Sequence, residues 1–277
     1  NDTEDAAYFF CANRGKKSVT VDITHSEGQE IIRQLALQSD VLIENYKVGG
    51  LAKYGLDYSA LKKINPKLIY CSITGFGQTG PYANRPGYDF LIQGMGGLMS
   101  ITGEPDSPDN KTAGPVKVGV AVTDLFTGLY AANAIQGALL ERHQSGLGQY
   151  IDLALLDVQA AVLANQASNY LIGKVIPERL GNAHPNIVPY QAFATADSHI
   201  IIAVGNDQQF ARFCKVLKSP LMAEDPLYAS NANRVNNRQT LCEFISESLR
   251  QKDSRQWLAA FEANDVPCGP INSIDQV

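Results

Sequence analysis

Apolar and polar positions alternate along the first third of the chain in a way that sets out its architecture. Lys17-Ser-Val-Thr-Val-Asp-Ile23 alternates with the two-residue period of a strand. From Ser26 to Gln38 the apolar positions Ile31, Ile32, Leu35 and Leu37 take up helical spacing, with Ser26 as a suitable cap. Asp40-Val-Leu-Ile-Glu-Asn-Tyr46 reads as a second strand, Tyr58 to Ile64 as a short helix, and Lys67-Leu-Ile-Tyr-Cys-Ser-Ile73 as a third strand. Strand, helix and strand at this spacing predict βαβ units and a parallel sheet. Ligands of such sheets bind beyond the carboxyl ends of the strands. Two loops fall at those ends, Asn45-Tyr-Lys-Val-Gly-Gly50 and Thr74-Gly-Phe-Gly-Gln-Thr-Gly-Pro81.

Further on, Thr102 to Pro115 is a polar stretch rich in Pro, Asp and Gly, expected as a loop or flap. The apolar run Val118 to Val122 leads into Thr123-Asp124 and then a long Ala/Leu/Ile helical pattern, which a turn at Ser145-Gly-Leu-Gly148 closes. Gln149 to Leu155 alternates, and a helix is predicted from about Leu156 to Ile172. The texture changes at the proline-rich segment Asn182 to Tyr190. A β-hairpin around Asp197-Ser198 follows, then helices over 207–217, 238–250 and 254–264. The boundary is expected near 175–190. It divides a larger Rossmann-like domain, 1–180, from a linker and smaller α+β domain, 181–277, giving an α/β fold overall. No internal repeat or low-complexity run is present.

Composition narrows the function classes. The 277 residues are 45% hydrophobic and 18% charged, with a formal net charge of −5. That balance speaks against a broad nucleic-acid-binding face and leaves room for a local basic patch toward a phosphorylated ligand. No apolar run approaches the roughly 20 residues that span a bilayer. The five cysteines, Cys11, Cys71, Cys214, Cys242 and Cys268, are widely spaced without a C-x-x-C pair. They suit reduced thiols rather than a disulfide framework or a zinc site. The chain opens at Asn1 and ends at Val277 in mid-pattern, so both ends read as cut from a longer polypeptide.

Asp124 is the carboxylate whose setting carries most chemistry. A helix start offers unpaired backbone N–H groups and the positive end of the helix dipole. Both would hold the carboxylate ionised, and both would stabilise charge that develops during acyl transfer. Thr123 or Asp124 also suits a plain N-cap, so position alone leaves both readings open. Asp152 and Asp157 are lesser carboxylate candidates. Gly75-Phe-Gly-Gln-Thr-Gly80 matches G-x-G-x-x-G, but Pro81, Pro86 and Gly87 stand where the dinucleotide motif needs a helix, which excludes the nicotinamide reading. Asn45-Tyr-Lys-Val-Gly-Gly-Leu-Ala-Lys53 combines an amide, an aromatic face and two cations. Tyr46 can stack on a base, and Lys47 or Lys53 can pair with phosphates. Gly87-Tyr-Asp89 fits a tight turn or a ligand contact. His184 is isolated from any second histidine or thiol and reads as structural; His25, His143 and His199 read as surface residues.

Arg14-Gly-Lys-Lys-Ser-Val, Val41-Leu-Ile-Glu-Asn-Tyr, Leu68 to Pro81, Arg85-Pro-Gly-Tyr-Asp, Val122-Thr-Asp and Gly146-Leu-Gly-Gln, in that order, resemble the class III (family III) CoA-transferases. Asn169-Tyr-Leu-Ile-Gly, Ile187 to Phe193, Asn206-Asp-Gln-Gln-Phe and Val266 to Asn272 most closely resemble the succinyl-CoA:glutarate CoA-transferase branch. The resemblance implies that Asp124 is the nucleophile, that Val21, Asn45, Tyr46, Lys47, Lys53, Gly87 and Tyr88 contact coenzyme A, and that no metal or permanently bound cofactor takes part. Acyl-CoA and a free, dicarboxylic acid would be the substrates. Lys53 stands where an arginine is common, keeping the charge without the bidentate fork. Gly205-Asn-Asp matches a loop that covers the aspartyl intermediate in relatives. Tyr88 stands where racemases of 2-methylacyl-CoA carry the histidine of their acid/base pair. A tyrosine, with an unperturbed pKa of about 10, is a poor base at neutral pH, which favours transfer over α-proton exchange. The alternatives are a racemase-type epimerase and a CoA-binding protein without turnover. The resemblance further implies an interlocked homodimer in the cytoplasm, or in mitochondria if the source is eukaryotic, with no nucleic-acid or membrane partner, and terminal segments beyond both ends.

Overall fold

Helix α1 (Ala7–Asn13) and α2 (Ser26–Gln38) precede the first strand, β1 (Val41–Glu44). Helix α3 (Tyr58–Ile64) then leads to β2 (Ile69–Thr74), and α4 (Asp89–Met95) and the long α5 (Val122–Ser145) separate β2 from β3 (Tyr150–Ala154). The three strands form one parallel sheet in the order β1-β2-β3, with Val41 opposite Ile69 and Tyr70 opposite Tyr150. The computed structural model describes residues 4, 6–106 and 114–277. Half of the polar stretch expected as a flap, 107–113, and opening residues 1–3 and 5 lie outside the described residues.

The central strand explains the layering. Side chains of β2 alternate between two cores. Ile69 and Cys71 pack with Ala131, Ile135 and Ala138 of α5, while Leu68 and Tyr70 pack with Ala36, Leu51, Leu56 and Leu61 on the opposite face. A parallel strand covered on both faces needs this near-continuous apolar run. The strand expected over Lys17–Ile23 does not form. Its alternation suits an extended chain, yet no ladder partner is present among the described residues, and an unpaired strand leaves its backbone groups to water. Asp22 instead turns the chain, its Oδ1 accepting the Thr24 amide at 2.9 Å and the Thr24 hydroxyl at 2.7 Å. Ser26 is the first residue inside α2 and not its cap; His25 holds the cap position.

The helix expected over about 156–172 is two helices, α6 (Leu155–Ala161) and α7 (Ala164–Gly173). Ala164 takes φ 48°, a left-handed conformation that redirects the chain between them. By contacts the chain divides into Asn1–Gly97 with Val118–Ala167, and Leu98–Lys117 with Ser168–Val277. This differs from the expected division at 180/181. Residues on both sides of that point are tied within the second unit: Gly181 N donates to Gly103 O at 2.9 Å, Arg179 Nε donates to Glu104 O at 3.2 Å, and Arg179 pairs with Asp106.

In the second unit β4 (Tyr190–Ala194) and β5 (His199–Ala203) form the expected antiparallel hairpin. Helices α8 (Asp207–Val216), α9 (Asn231–Asn236), α10 (Arg238–Leu249) and α11 (Ser254–Glu262) follow, and β6 (Cys268–Pro270) pairs with β5. Its core joins Phe193, Ile200 and Ile202 of the sheet to Phe210, Phe213, Leu241, Ile245, Trp257 and Phe261 of the helices. Arg234 is fully buried there. Its guanidinium donates to Val188 O and Tyr228 O, pairs with Asp207 at 2.8 Å and lies 4.4 Å from the Phe210 ring centroid.

Candidate active site

Helix α5 begins without a side-chain cap of its own. Its N-cap is Ala121, so Thr123 and Asp124 lie inside the first turn and neither is the cap. The orphan amides of that turn are met from another element. Asp89, the first residue of α4, accepts the Thr123 amide at 2.8 Å and the Asp124 amide at 3.3 Å through Oδ1. Its Oδ2 accepts Gln93 Nε2 at 2.6 Å, and Gln93 Oε1 accepts the Val118 amide at 2.9 Å. The buried Thr123 hydroxyl donates to Gln159 Oε1 of α6 at 2.6 Å. The Asp89 carboxylate thus ties α4 to the start of α5, and the Thr123 hydroxyl ties α6 to it.

Asp124 stands beside this network and outside it. The residue is exposed, and no hydrogen bond reaches its carboxyl oxygens among the described residues. Its pKa is raised above the ordinary carboxylate value, first by partial burial of the carboxyl and second by the negative charge of Asp89. The helix end therefore does not lower the Asp124 pKa, contrary to expectation. Asp89 takes the amides that would have lowered the pKa, and its charge adds to the rise.

A cleft of about 390 Å³ opens at the carboxyl ends of β1 and β2. Its walls are the loop after β1, with Asn45, Tyr46, Lys47 and Val48; the loop after β2, with Thr74 and Gly75; and residues 83–88. Asn45 is anchored by its Nδ2, which donates to Ile73 O at 2.5 Å, and the Tyr46 amide donates to Glu44 Oε2 at 2.7 Å. Gly75 and Gly87 meet backbone to backbone. A Cβ at Gly75 would lie 2.5 Å from Gly87 Cα, and one at Gly87 would lie 2.4 Å from Gly75 Cα. Tyr88 lines the cleft with 74% of its surface exposed, and the next residue is the Asp89 that holds α5.

Five of the seven expected contact residues, Asn45, Tyr46, Lys47, Gly87 and Tyr88, are brought together here. Val21 and Lys53 are not among the lining residues. Val21 is half-buried ahead of α2, and Lys53 Nζ sits 4.6 Å over the Tyr54 ring in the turn after the loop. Arg85 lines the cleft and was not foreseen. Its guanidinium lies 4.6 Å from the Tyr82 ring centroid and 5.7 Å from that of Phe76. Its signal lay in Arg85-Pro-Gly-Tyr-Asp, where only the glycine and tyrosine had been given a role. Asp89 was missed for the same reason, since no helix had been assigned at 89–95.

The remaining candidates have structural duties. Asp152 accepts the Gln78 amide at 3.0 and 3.2 Å and so holds the glycine loop, which runs into turns at 81–84 and not into a helix. Asp157 lies in the first turn of α6. His184 Nδ1 accepts the Asn186 amide at 3.1 Å. Burial pushes the thiols of Cys71 and Cys214 up to about 11 and about 12, away from thiolate chemistry at neutral pH. Among the described residues no group of three His, Cys, Asp or Glu side chains is placed to hold a metal ion. No helix is long and apolar enough to cross a membrane among them.

Comparison with known proteins gives the family. A family model described as CoA-transferase family III matches residues 1–277. The chain is 55% identical over 272 residues to a succinate–glutarate CoA-transferase of Agrobacterium fabrum, which covers 98% of this chain and 66% of that relative. It is 45% identical over 273 residues to a succinyl-CoA:glutarate CoA-transferase of Homo sapiens, 99% of this chain and 61% of the relative. The crystal structure of a CAIB/BAIF family protein from Brucella suis is similar with a TM-score of 0.84 and 53% identity, over 98% of this chain and 70% of that one. The chain thus spans 61–66% of the length of these curated relatives. It belongs to CoA-transferase family III.

Proposed function

We propose that this chain carries the nucleophile and the coenzyme A cleft of a CoA-transferase that moves CoA from an acyl-CoA thioester to a free dicarboxylic acid. The observation that carries this reading is the state of Asp124: an exposed carboxylate at the start of α5, its oxygens free of hydrogen bonds and its pKa raised, with its backbone amide held by Asp89, the residue next to Tyr88 on the wall of a cleft that Lys47 and Arg85 also line. The names of the relatives, succinate–glutarate and succinyl-CoA:glutarate CoA-transferase, support succinyl-CoA as donor and a glutarate-like acid as acceptor.

An Asp124 oxygen would attack the thioester carbonyl carbon. The C–S bond breaks, leaving a mixed anhydride on the enzyme and CoA thiolate. The thiolate attacks the aspartyl carbonyl of that anhydride, the C–O bond breaks, and the donor acid departs as its carboxylate. An acceptor carboxylate then attacks the aspartyl thioester and expels the thiolate, which in turn attacks the acceptor carbonyl and restores the Asp124 carboxylate. Each step exchanges one acyl bond for another, so electrons and protons balance without an outside reductant or base. Asn45, Tyr46, Lys47, Gly87 and Tyr88 would hold CoA, with Arg85 as a further cation in the cleft. Val21 and Lys53 would serve only the outer part of so long a ligand. The apolar residues Leu125, Leu129 and Leu140 that α5 leaves exposed support the proposal of a homodimer. The compartment proposed is the cytoplasm, or mitochondria in a eukaryote.

The test is acyl exchange by the full-length protein, with a panel of CoA donors and mono- and dicarboxylate acceptors, alongside Asp124→Ala. The variant should lose exchange while calorimetry still shows CoA binding. Hydroxylamine trapping during turnover should label Asp124. Near-normal turnover in the variant, or an unlabelled Asp124 peptide, sinks the assignment.

A further inference from the structure

The start of α5 presents two carboxylates and one set of amides, and the amides go to the residue that is not the nucleophile. Resting on the reading of Asp124 as nucleophile, we propose that Asp89 is its positioning residue: it occupies the anion site at the start of α5, so that the Asp124 backbone is held while its carboxylate stays free of hydrogen bonds. The geometry is specific. Asp89 accepts both the Thr123 and the Asp124 amide, so its hold includes the reactive residue's own backbone. Gln93, fully buried, fixes the other Asp89 oxygen and is itself held by the Val118 amide.

The chemistry follows from competition for the helix end. An anion seated on helix amides is stabilised, and a stabilised carboxylate is a weaker nucleophile. By filling that seat, Asp89 leaves Asp124 unstabilised, and its charge adds repulsion to the free anion. When the Asp124 oxygen bonds to the acyl carbon and the C–S bond breaks, the negative charge leaves on sulfur and the repulsion is relieved. The pair therefore favours acylation over the resting carboxylate. Among the described residues, the other side chains bonded at this turn are neutral: Gln93 of α4 and Gln159 of α6. Further along α5, β2 and β3 contribute Ile69, Ile73, Ile151 and Leu153, and the Cys71 thiol, which burial raises to about 11.

Asp89→Asn and Asp89→Ala in the full-length protein separate the two parts of the role. Asparagine keeps an oxygen for the amides and loses the charge; alanine loses both. Two readouts apply: kcat and KM for acyl exchange, and the pH dependence of Asp124 modification by a water-soluble carbodiimide, followed by peptide mass spectrometry. Alanine should lower kcat by at least about tenfold, the scale of a lost charged hydrogen bond, with little change in KM for the acyl-CoA. Asparagine should retain more kcat than alanine, and its carbodiimide midpoint at Asp124 should move to lower pH. Gln93 Nε2 loses its acceptor in that variant, so melting temperatures are recorded for both. A merely structural Asp89 would lower both melting points and leave the Asp124 midpoint where it is. An unmoved midpoint in Asp89→Asn, or wild-type kcat in Asp89→Ala, overturns the proposal. Should the alanine variant fail to fold, the asparagine midpoint decides alone. Should the wild type show no exchange, the functional reading fails while the midpoint still tests Asp89.

Discussion

Gly87→Ala is the substitution whose effect the structure specifies best. The new Cβ would sit 2.4 Å from Gly75 Cα and 3.4 Å from the Gly75 N and C atoms. The first distance is about 1 Å short of ordinary van der Waals contact, and the obstructing atom is backbone, which cannot rotate aside. The loops at 75 and 87 must therefore separate. Overpacking of this kind costs about 1–3 kcal/mol, which lowers the melting temperature by roughly 2–12 °C for a domain of this size. Both loops are walls of the cleft, so the same displacement should weaken CoA binding by about tenfold, or ~1.4 kcal/mol. Gly80→Ala is the control. Gly80 has φ 93° and no atom within 4 Å of a Cβ, so alanine there brings backbone strain of about 1–2 kcal/mol without moving a wall. Thermal melts and isothermal titration with CoA on the three proteins give the answer. Stability should fall in both variants, and affinity only in Gly87→Ala. A Gly87→Ala protein that binds CoA with the wild-type Kd would refute both the close approach and the assignment of the cleft.

Two further outcomes concern stability. The raised pKa of Asp124 means the folded chain holds a proton there more tightly than the unfolded chain, so its ionisation weakens the fold as pH rises from the ordinary carboxylate range through the raised value. Asp124→Asn should accordingly raise the melting temperature at neutral pH, with the gain vanishing below the ordinary Asp pKa; a gain constant across pH would contradict the direction of the shift. In the second unit, Arg234→Ala should cost about 3–5 kcal/mol in urea melts, because it leaves a buried void and strands the carbonyls of Val188 and Tyr228, while the more than half exposed Asp207 carboxylate returns to water. A loss under about 1 kcal/mol would show that water replaces the guanidinium freely.

Local pattern was enough for most of the first unit. Lys67–Ile73 reads as a strand, and Ile69–Thr74 is one, covered on both faces. Tyr58–Ile64 reads as a short helix, and the helix has those bounds. The failures share a cause. Lys17–Ile23 has a strand's alternation, but a strand exists only with a partner, which alternation cannot supply. The short helix at 89–95 has too few residues for a helical period to show, so Asp89 passed as a turn residue. The same limit hid Arg85, whose place on the cleft depends on Tyr82 and Phe76 holding its guanidinium.

By itself the sequence determined the parallel sheet, the loops at its carboxyl ends and Asp124 at the start of a long helix, because periodicity and capping chemistry act over a few neighbouring residues. Only the tertiary structure decided which carboxylate takes that helix's amides. Asp89 arrives from 35 residues away, and two carboxylates cannot share one anion site. Asp124 is left beside the site, unbonded and raised in pKa, because the long-range contact between α4 and α5 filled it first.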